Sequence, residues 1–530
     1  MKFKRPKCLL IIVSSMAFLF DLLFWRKSFG VSFVIYVCIL LVAAFGYSYY
    51  ERKFPAHSSL LLSVPIGLFS VMTIIRLEPV TRSVNFLITL TLLMVLAYSY
   101  RLGNWWLYRL GDYFVLPFKL FYYALTGAPQ VYHDSIGRKE GSDTIIRRLV
   151  RYLLFVLRGL LLSLPVLIIL AVFLASADPI FSDRMIRFFS LFNLSKIIDF
   201  IFRVNIILII AYILLGIFGY AIIKSKQDNR LEQDQFRIRP FLGTVEAGII
   251  LGCVNILFFL FVLIQFQYFF GGDVNIGIDG FTYAQYARRG FAELVMVAII
   301  SASLFLVLSS ITHRERRIQR WIFSSLGIVL GVLVGIILTS SFQRLLLYED
   351  AFGFTRLRTY PHVFMVWLGL ALSAFIVLEL SGKTHKFGLV LLIVGIGFSL
   401  SLGVLNVDGF IVEKNIDRAL KGRDLDLDYL LTLSSDATPT MVNFYFSLNP
   451  ASLLREQVGS MLACQAQELH QEFQVQAWTE FNISTWRARN LLDRMADELN
   501  EYQLVGSTDD GFTVIVNGVK HPCKGKWVLE

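Results

Sequence analysis

The chain has 530 residues, 56% hydrophobic and only 17% charged, with a mean hydropathy of +0.63, whereas soluble domains carry about a quarter charged residues. That balance excludes a soluble globular protein. The net charge of +11 would suggest a nucleic-acid partner in a soluble chain, but here the basic residues fall in short segments between apolar runs, a pattern set by membrane topology and anionic headgroups. No RNP-like strand, zinc-knuckle spacing or paired recognition helix is present, so no nucleic acid is expected.

Apolar windows of about 20 residues, the length that crosses a ~30 Å hydrocarbon layer, recur along the chain. The N-terminal "MKFKRPK" and the apolar run after it imitate a signal peptide but lack an A-x-A-like cleavage site, and read as the first span. In chain order the predicted spans are Cys8–Trp25, Phe29–Tyr50, Ser59–Leu77, Ser83–Tyr100, Leu153–Ser176, Ile197–Ile223, Thr244–Phe270, Gly290–Ser310, Trp321–Leu347, Pro361–Leu380 and Phe387–Val407. The expected fold is an all-α polytopic membrane protein of about eleven transmembrane helices, with a small, mainly α C-terminal extracytoplasmic domain ending in a β-hairpin. Its expected parts are a first four-helix membrane segment (1–100), a cytoplasmic loop with an interfacial helix (101–152), a seven-helix membrane core (153–407) and the C-terminal domain (408–530).

Alternate connections sort the basic residues: roughly 25 Lys and Arg lie on the side of the N-terminus and roughly 12 on the other. The positive-inside rule then puts the N-terminus in the cytoplasm and the C-terminus outside. Within the longest inside segment, "NWWLYRLGDYFVLPFKLFYYAL" mixes Trp and Tyr with Arg109, Asp112 and Lys119. It reads as a helix in the headgroup plane, with a twelfth or re-entrant span over residues 104–126 as the rival. "DPIFSDRMIRFFSLFNL", after the fifth span, reads as a second interfacial helix.

"GFTYAQYARRGFAEL" (280–294) opens the eighth span with Arg288, Arg289 and Glu293. Arg289 and Glu293 are four apart and able to pair on a helix. Other outer-loop charges fall at the same depth: Arg344, Glu349, Asp350, Arg356 and Arg358. Charges at a membrane edge can serve as depth anchors, but several together define a polar floor or the lining of a wet vestibule. Deeper in the membrane, Asp199 and Arg203 are four apart in the sixth span and are expected to pair with each other, with an ion relay as the alternative reading.

The sequence carries no G-x-x-x-x-G-K-[ST], H-E-x-x-H, G-x-S-x-G or C-x-x-C, so no catalytic residue, metal or cofactor is assigned. "DLDLDYLLTLSS" resembles a calcium loop only at its start, since Tyr429 and Ser435 stand where Gly and Glu are needed. The protein is expected not to be an enzyme, with a lipid-modifying activity as the minor alternative.

The soluble tail follows the last span without a Gly/Ser linker and should ride rigidly on the membrane body. Helices are predicted over Gly409–Lys421, Asp428–Leu433, Ala451–Glu472 and Thr485–Tyr502. The alternation around Asn517-Gly518 then signals the hairpin. Cys464 and Cys523 lie in this tail, outside the cytosol by the topology, and are candidates for a disulfide.

"TYAQYARRGFAEL", "YEDAFGFTRLR", "SADPIFSD", "NVDGFIVEKNIDRAL" with "LDLDYLLTLSSDATP", and "FNISTWRARNLL" resemble the signature stretches of an uncharacterised family of bacterial multispanning membrane proteins, a domain of unknown function. The similarity runs from about residue 150 to the end and leaves out the first four spans. It implies a bacterial cytoplasmic membrane and supplies no activity. The expected function is therefore envelope sensing, docking or scaffolding, with membrane lipids around the chain and an envelope protein as partner. The alternative is a transporter or channel whose outer vestibule is Arg288, Arg289, Glu293 and Arg344.

Overall fold

The computed structural model describes residues 5–136, 170, 173–174, 194–225, 240–270, 291–423, 425–475, 477–507, 511–516 and 519–523. Among these, ten helices are long and apolar enough to cross a membrane. Their apolar residues run round most of the helix surface, as a lipid environment demands. The predicted span Leu153–Ser176, the second interfacial helix and the opening of the eighth span, including Arg288 and Arg289, lie almost wholly outside the described residues.

The helices are α1 (Pro6–Phe24), α2 (Val31–Glu51), α3 (Ser63–Ile75), α4 (Pro79–Ser99), α5 (Leu110–Ile136), α6 (Leu194–Gly219), α7 (Thr244–Phe270), α8 (Phe291–Ile311), α9 (Arg317–Phe352), α10 (Arg356–Leu380) and α11 (Phe387–Leu405). All but α5 belong to candidate spans. The chain divides into two compact units. The first takes Met1–Arg26, Val42–Phe54 and Phe118–Lys224, and within it α1 packs on α6.

The second unit takes Lys27–Leu41, Pro55–Pro117 and Ser225–Glu530. At its centre α9 packs against α7, α8 and α10, while α10 packs on α11 and α11 on α4. Within this unit α3 and α4 both pack on α11. The core around α9 joins Leu251, Phe305, Phe323, Leu330, Val334 and Phe375. With 36 residues rising about 1.5 Å each, α9 is roughly 54 Å long and outruns the hydrocarbon layer.

Beyond α11 the chain forms a C-terminal cap of α12 (Val407–Leu420), α13 (Thr438–Ser447), α14 (Leu453–Val475) and α15 (Ile483–Arg494). Strands β1 (Gln503–Ser507), β2 (Gly511–Val516) and β3 (Val519–Pro522) pair antiparallel in the order β1-β2-β3. A disulfide joins Cys464 of α14 to Cys523. The cap's apolar core, with Ile411, Val412, Met441, Leu462 and Leu492, runs on into Leu402 of α11 and Val363 of α10. No linker separates cap from bundle. Asn406 alone makes the corner, in a left-handed conformation (φ 51°), and its side chain caps α12 by accepting from the Gly409 amide at 3.4 Å.

Candidate functional site: a buried ionic node where the cap meets the bundle

Three connections meet the cap within the second unit. Residues 28–31 receive Glu480 and Phe481: the Ser28 amide donates to Glu480 Oε1 at 2.6 Å and the Val31 amide to the Phe481 carbonyl at 3.0 Å. Gly30 is needed there, because a Cβ would collide with the Glu480 carbonyl.

The α3–α4 turn is held by two carboxylates. Glu78 caps α4, accepting from the Val80 and Thr81 amides at 3.0 and 2.6 Å, with Pro79 in the first turn where its missing N–H costs nothing. The amides of Leu77 and Glu78 donate in turn to Asp436 Oδ2 at 2.7 and 2.9 Å. Beside them Arg76 donates from Nε to the Gly403 carbonyl at 2.7 Å. Burial lowers the Arg76 pKa, and the charge of Asp436 acts the other way.

The α9–α10 turn supplies the centre. Arg356 donates to Asp408 in a two-pronged bond, Nε to Oδ1 at 2.7 Å and Nη2 to Oδ2 at 2.5 Å, and its Nε lies 3.8 Å from Glu78 Oε1. Asp408 is 0% exposed. Its Oδ2 also accepts the Ser434 amide at 2.8 Å and the Ser434 hydroxyl at 2.6 Å. The Arg356 amide donates to the Tyr429 hydroxyl at 2.7 Å, and burial raises that phenol's pKa, so it stays neutral. Glu78 and Asp436, 1% and 4% exposed, complete a node of three carboxylates around Arg356 and Arg76. A buried charge is tolerable only when paired and hydrogen-bonded, which describes each carboxylate here.

The same turn is clasped by α12. The Phe354 amide donates to Asn415 Oδ1 at 2.9 Å, and Asn415 Nδ2 donates to the Phe354 carbonyl at 2.8 Å. Arg418 reaches the Asp350 carbonyl through Nη2 at 3.1 Å. Gly353 sits between them at φ 83°, ψ 169°, where a Cβ would lie 2.6 Å from Arg418 Nη1.

The predicted cluster is therefore only partly one place. Arg356 is at the node's centre. Arg358 turns back to the Phe352 carbonyl at 3.0 Å and stacks over Tyr348. Glu349 pairs with His362 Nδ1 at 3.0 Å, inside the α9–α10 contact. Asp350 contributes its backbone carbonyl to Arg418. Arg344 is partly buried one turn earlier on α9, and Glu293 is exposed in the first turn of α8. The Asp199–Arg203 pairing is corrected: Asp199 binds Arg26 Nη2 at 2.8 Å, and Arg203 binds Asp21 through Nε at 3.0 Å and Nη2 at 2.6 Å. A helix neighbour four residues away lost to buried Asp21 on α1, because a two-pronged bond to a carboxylate already stripped of water is the stronger one.

Glu78, Asp408, Ser434, Asp436 and Asn415 had no assigned role in the sequence reading, although all but Glu78 stand inside the quoted family stretches. A second polar contact lies at the other end of α9, where Glu379 accepts from the Ser324 hydroxyl at 2.5 Å and lies 3.6 Å from Arg314. No group of His, Cys, Asp or Glu among the described residues is arranged to hold a metal ion.

Ten long apolar helices among the described residues, with a cap bonded to the helix ends, make this a polytopic membrane protein. More particularly, the chain belongs to a family known as a domain of unknown function, DUF4153, whose profile matches residues 63–444. The match takes in α3 and α4, which the resemblance had left out, and stops inside α13. No curated protein and no solved structure matches the chain.

Proposed function

We propose that this is a non-enzymatic scaffold of a bacterial cytoplasmic membrane whose C-terminal cap docks or senses an envelope protein on the extracytoplasmic side. The observation that carries the reading is the Arg356–Asp408–Glu78–Asp436 node. It locks the cap to the α3–α4 and α9–α10 turns, so that a force or ligand at the cap acts on the helices without a flexible joint. The Arg356, Arg358 and Glu349 side chains are engaged in internal contacts, which favours a structural part for these three members of the polar floor.

Sidedness rests on the distribution of basic residues and on parity. Five described candidate spans, an odd number, separate the α3–α4 turn from the α9–α10 turn, yet both turns meet one cap. That parity supports an odd count of eleven crossings.

The test is in-cell crosslinking from the cap, comparing the full chain with Arg356→Gln. A partner captured at the same cap positions by both proteins, with an envelope phenotype of the deletion restored only by the full wild-type chain, is the expected result. A cap that captures nothing, together with full rescue by a chain ending at residue 407, overturns the proposal.

A further inference from the structure

Arg82, in the first turn of α4, differs from Arg76 and Arg356. Arg76 and Arg356 are both bonded, but the Arg82 side chain makes no hydrogen bond or ion pair among the described residues and the residue is only partly exposed. It stands on the wall of a cavity of about 480 Å³, within the ~300–1,000 Å³ range of small-ligand sites.

The rest of that wall is mainly apolar, the hydroxyls of Thr73 and Ser83 being turned back to the Ser70 and Pro79 carbonyls. Phe29 comes from the segment before α2, Phe33 from the first turn of α2, Leu77 from the α3–α4 turn, and Phe86 and Leu87 from α4. The three rings pack together, Phe86 lying 5.3 Å from Phe29 and 5.0 Å from Phe33. Phe29 and Leu87 are exposed, and Leu87 lies on a candidate span, where an exposed apolar side chain faces lipid. One unpaired guanidinium at a helix end above a slot of aromatic and aliphatic side chains has the polarity of a single-chain amphiphile.

We propose that this cavity binds one anionic phospholipid, its phosphodiester on Arg82 and the upper part of an acyl chain along Phe33, Phe86 and Leu87. The charge argument selects the lipid. A guanidinium without a carboxylate partner at membrane depth is costly, and a phosphate delivered by the bilayer supplies the missing anion. A free phosphate would satisfy Arg82 but leave the slot empty.

The test is native mass spectrometry of the full-length protein released from micelles containing equal phosphatidylglycerol and phosphatidylcholine, for wild type, Arg82→Gln, Arg82→Lys and Leu87→Glu. Wild type should retain one phosphatidylglycerol in preference to phosphatidylcholine. Arg82→Gln should lose about fivefold of that preference, the worth of one basic residue near a lipid surface. Arg82→Lys should keep most of it, and Leu87→Glu, which puts a carboxylate at the mouth, should lose it. Retention of both lipids equally by wild type, or equal preference in wild type and Leu87→Glu, overturns the proposal. Inorganic phosphate displacing the lipid at millimolar concentration would also overturn it, by assigning the site to the free anion.

Discussion

Arg356 and Asp408 face each other across two parallel bonds, 2.7 and 2.5 Å long, that tie the first turn of α10 to the first turn of α12. The pair is 52 residues apart in sequence and joins a membrane-spanning helix to the cap. Removing one member of a buried pair leaves the other uncompensated, at about 3–5 kcal/mol. Arg356 is 24% exposed and Glu78 lies nearby, so Asp408→Asn should cost about 2–3 kcal/mol by thermal unfolding in detergent. Arg356→Met combined with Asp408→Leu should be milder than either single change, and additive losses would contradict the pairing.

Gly353 offers a backbone test. Gly353→Ala should lower stability by about 1–3 kcal/mol, because the conformation suits glycine alone and the new methyl presses on Arg418. Gly335, inside α9, has open space around it, so Gly335→Ala should show no loss. The two variants, measured side by side, separate backbone strain from any general sensitivity of α9.

The disulfide closes a loop with a sequence separation of 59, and on the chain-entropy model its removal should destabilise the cap by about 4 kcal/mol. Cys523→Ser should make the C-terminal strands sensitive to protease while the bundle stays intact. The same cysteines report sidedness. An impermeant maleimide should label Cys464 and Cys523 in intact cells only after mild reduction, and labelling that requires lysis would place the cap in the cytosol.

In the first unit, Asp21→Asn should cost about 2 kcal/mol, because it strips Arg203 of its two-pronged partner. Asp199→Asn, which removes the more exposed bond to Arg26, should cost under about 1 kcal/mol. A larger loss from Asp199→Asn than from Asp21→Asn would restore the pairing of Asp199 with Arg203 within α6.

Legibility followed the length scale of the interaction. Spans are written in runs of about 20 apolar residues, so each described crossing falls within a few residues of its predicted place; α9, for instance, begins at Arg317 instead of Trp321 and runs on to Phe352. Helix α13 was not anticipated, because Thr438, Val442, Phe444 and Tyr445 are weak helix formers and Pro439 reads as a breaker. In the first turn proline is instead favourable, and burial of Met441 and Tyr445 supplies what propensity lacks. Strand β1 was missed for a similar reason, since "QLVGS" is too short to show alternation. The node was half visible. Arg356 stood out as a charge at a span end, but its partners come from positions 78 and 408, and no local spacing announces the bond of the Glu78 amide to Asp436 across 358 residues of chain.

The length of α9 carries one more consequence. Trp321 and Tyr348 lie 27 residues apart on it, roughly 40 Å at 1.5 Å per residue, which matches a bilayer measured between its headgroup planes. Trp321 is exposed and Tyr348 sits under Arg358, as interfacial anchors do. The helix is thus a gauge: in a thinner membrane those two rings reach the headgroups together only if α9 leans. Arg418 grips the Asp350 carbonyl at the far end, so a lean of α9 would carry the cap with it.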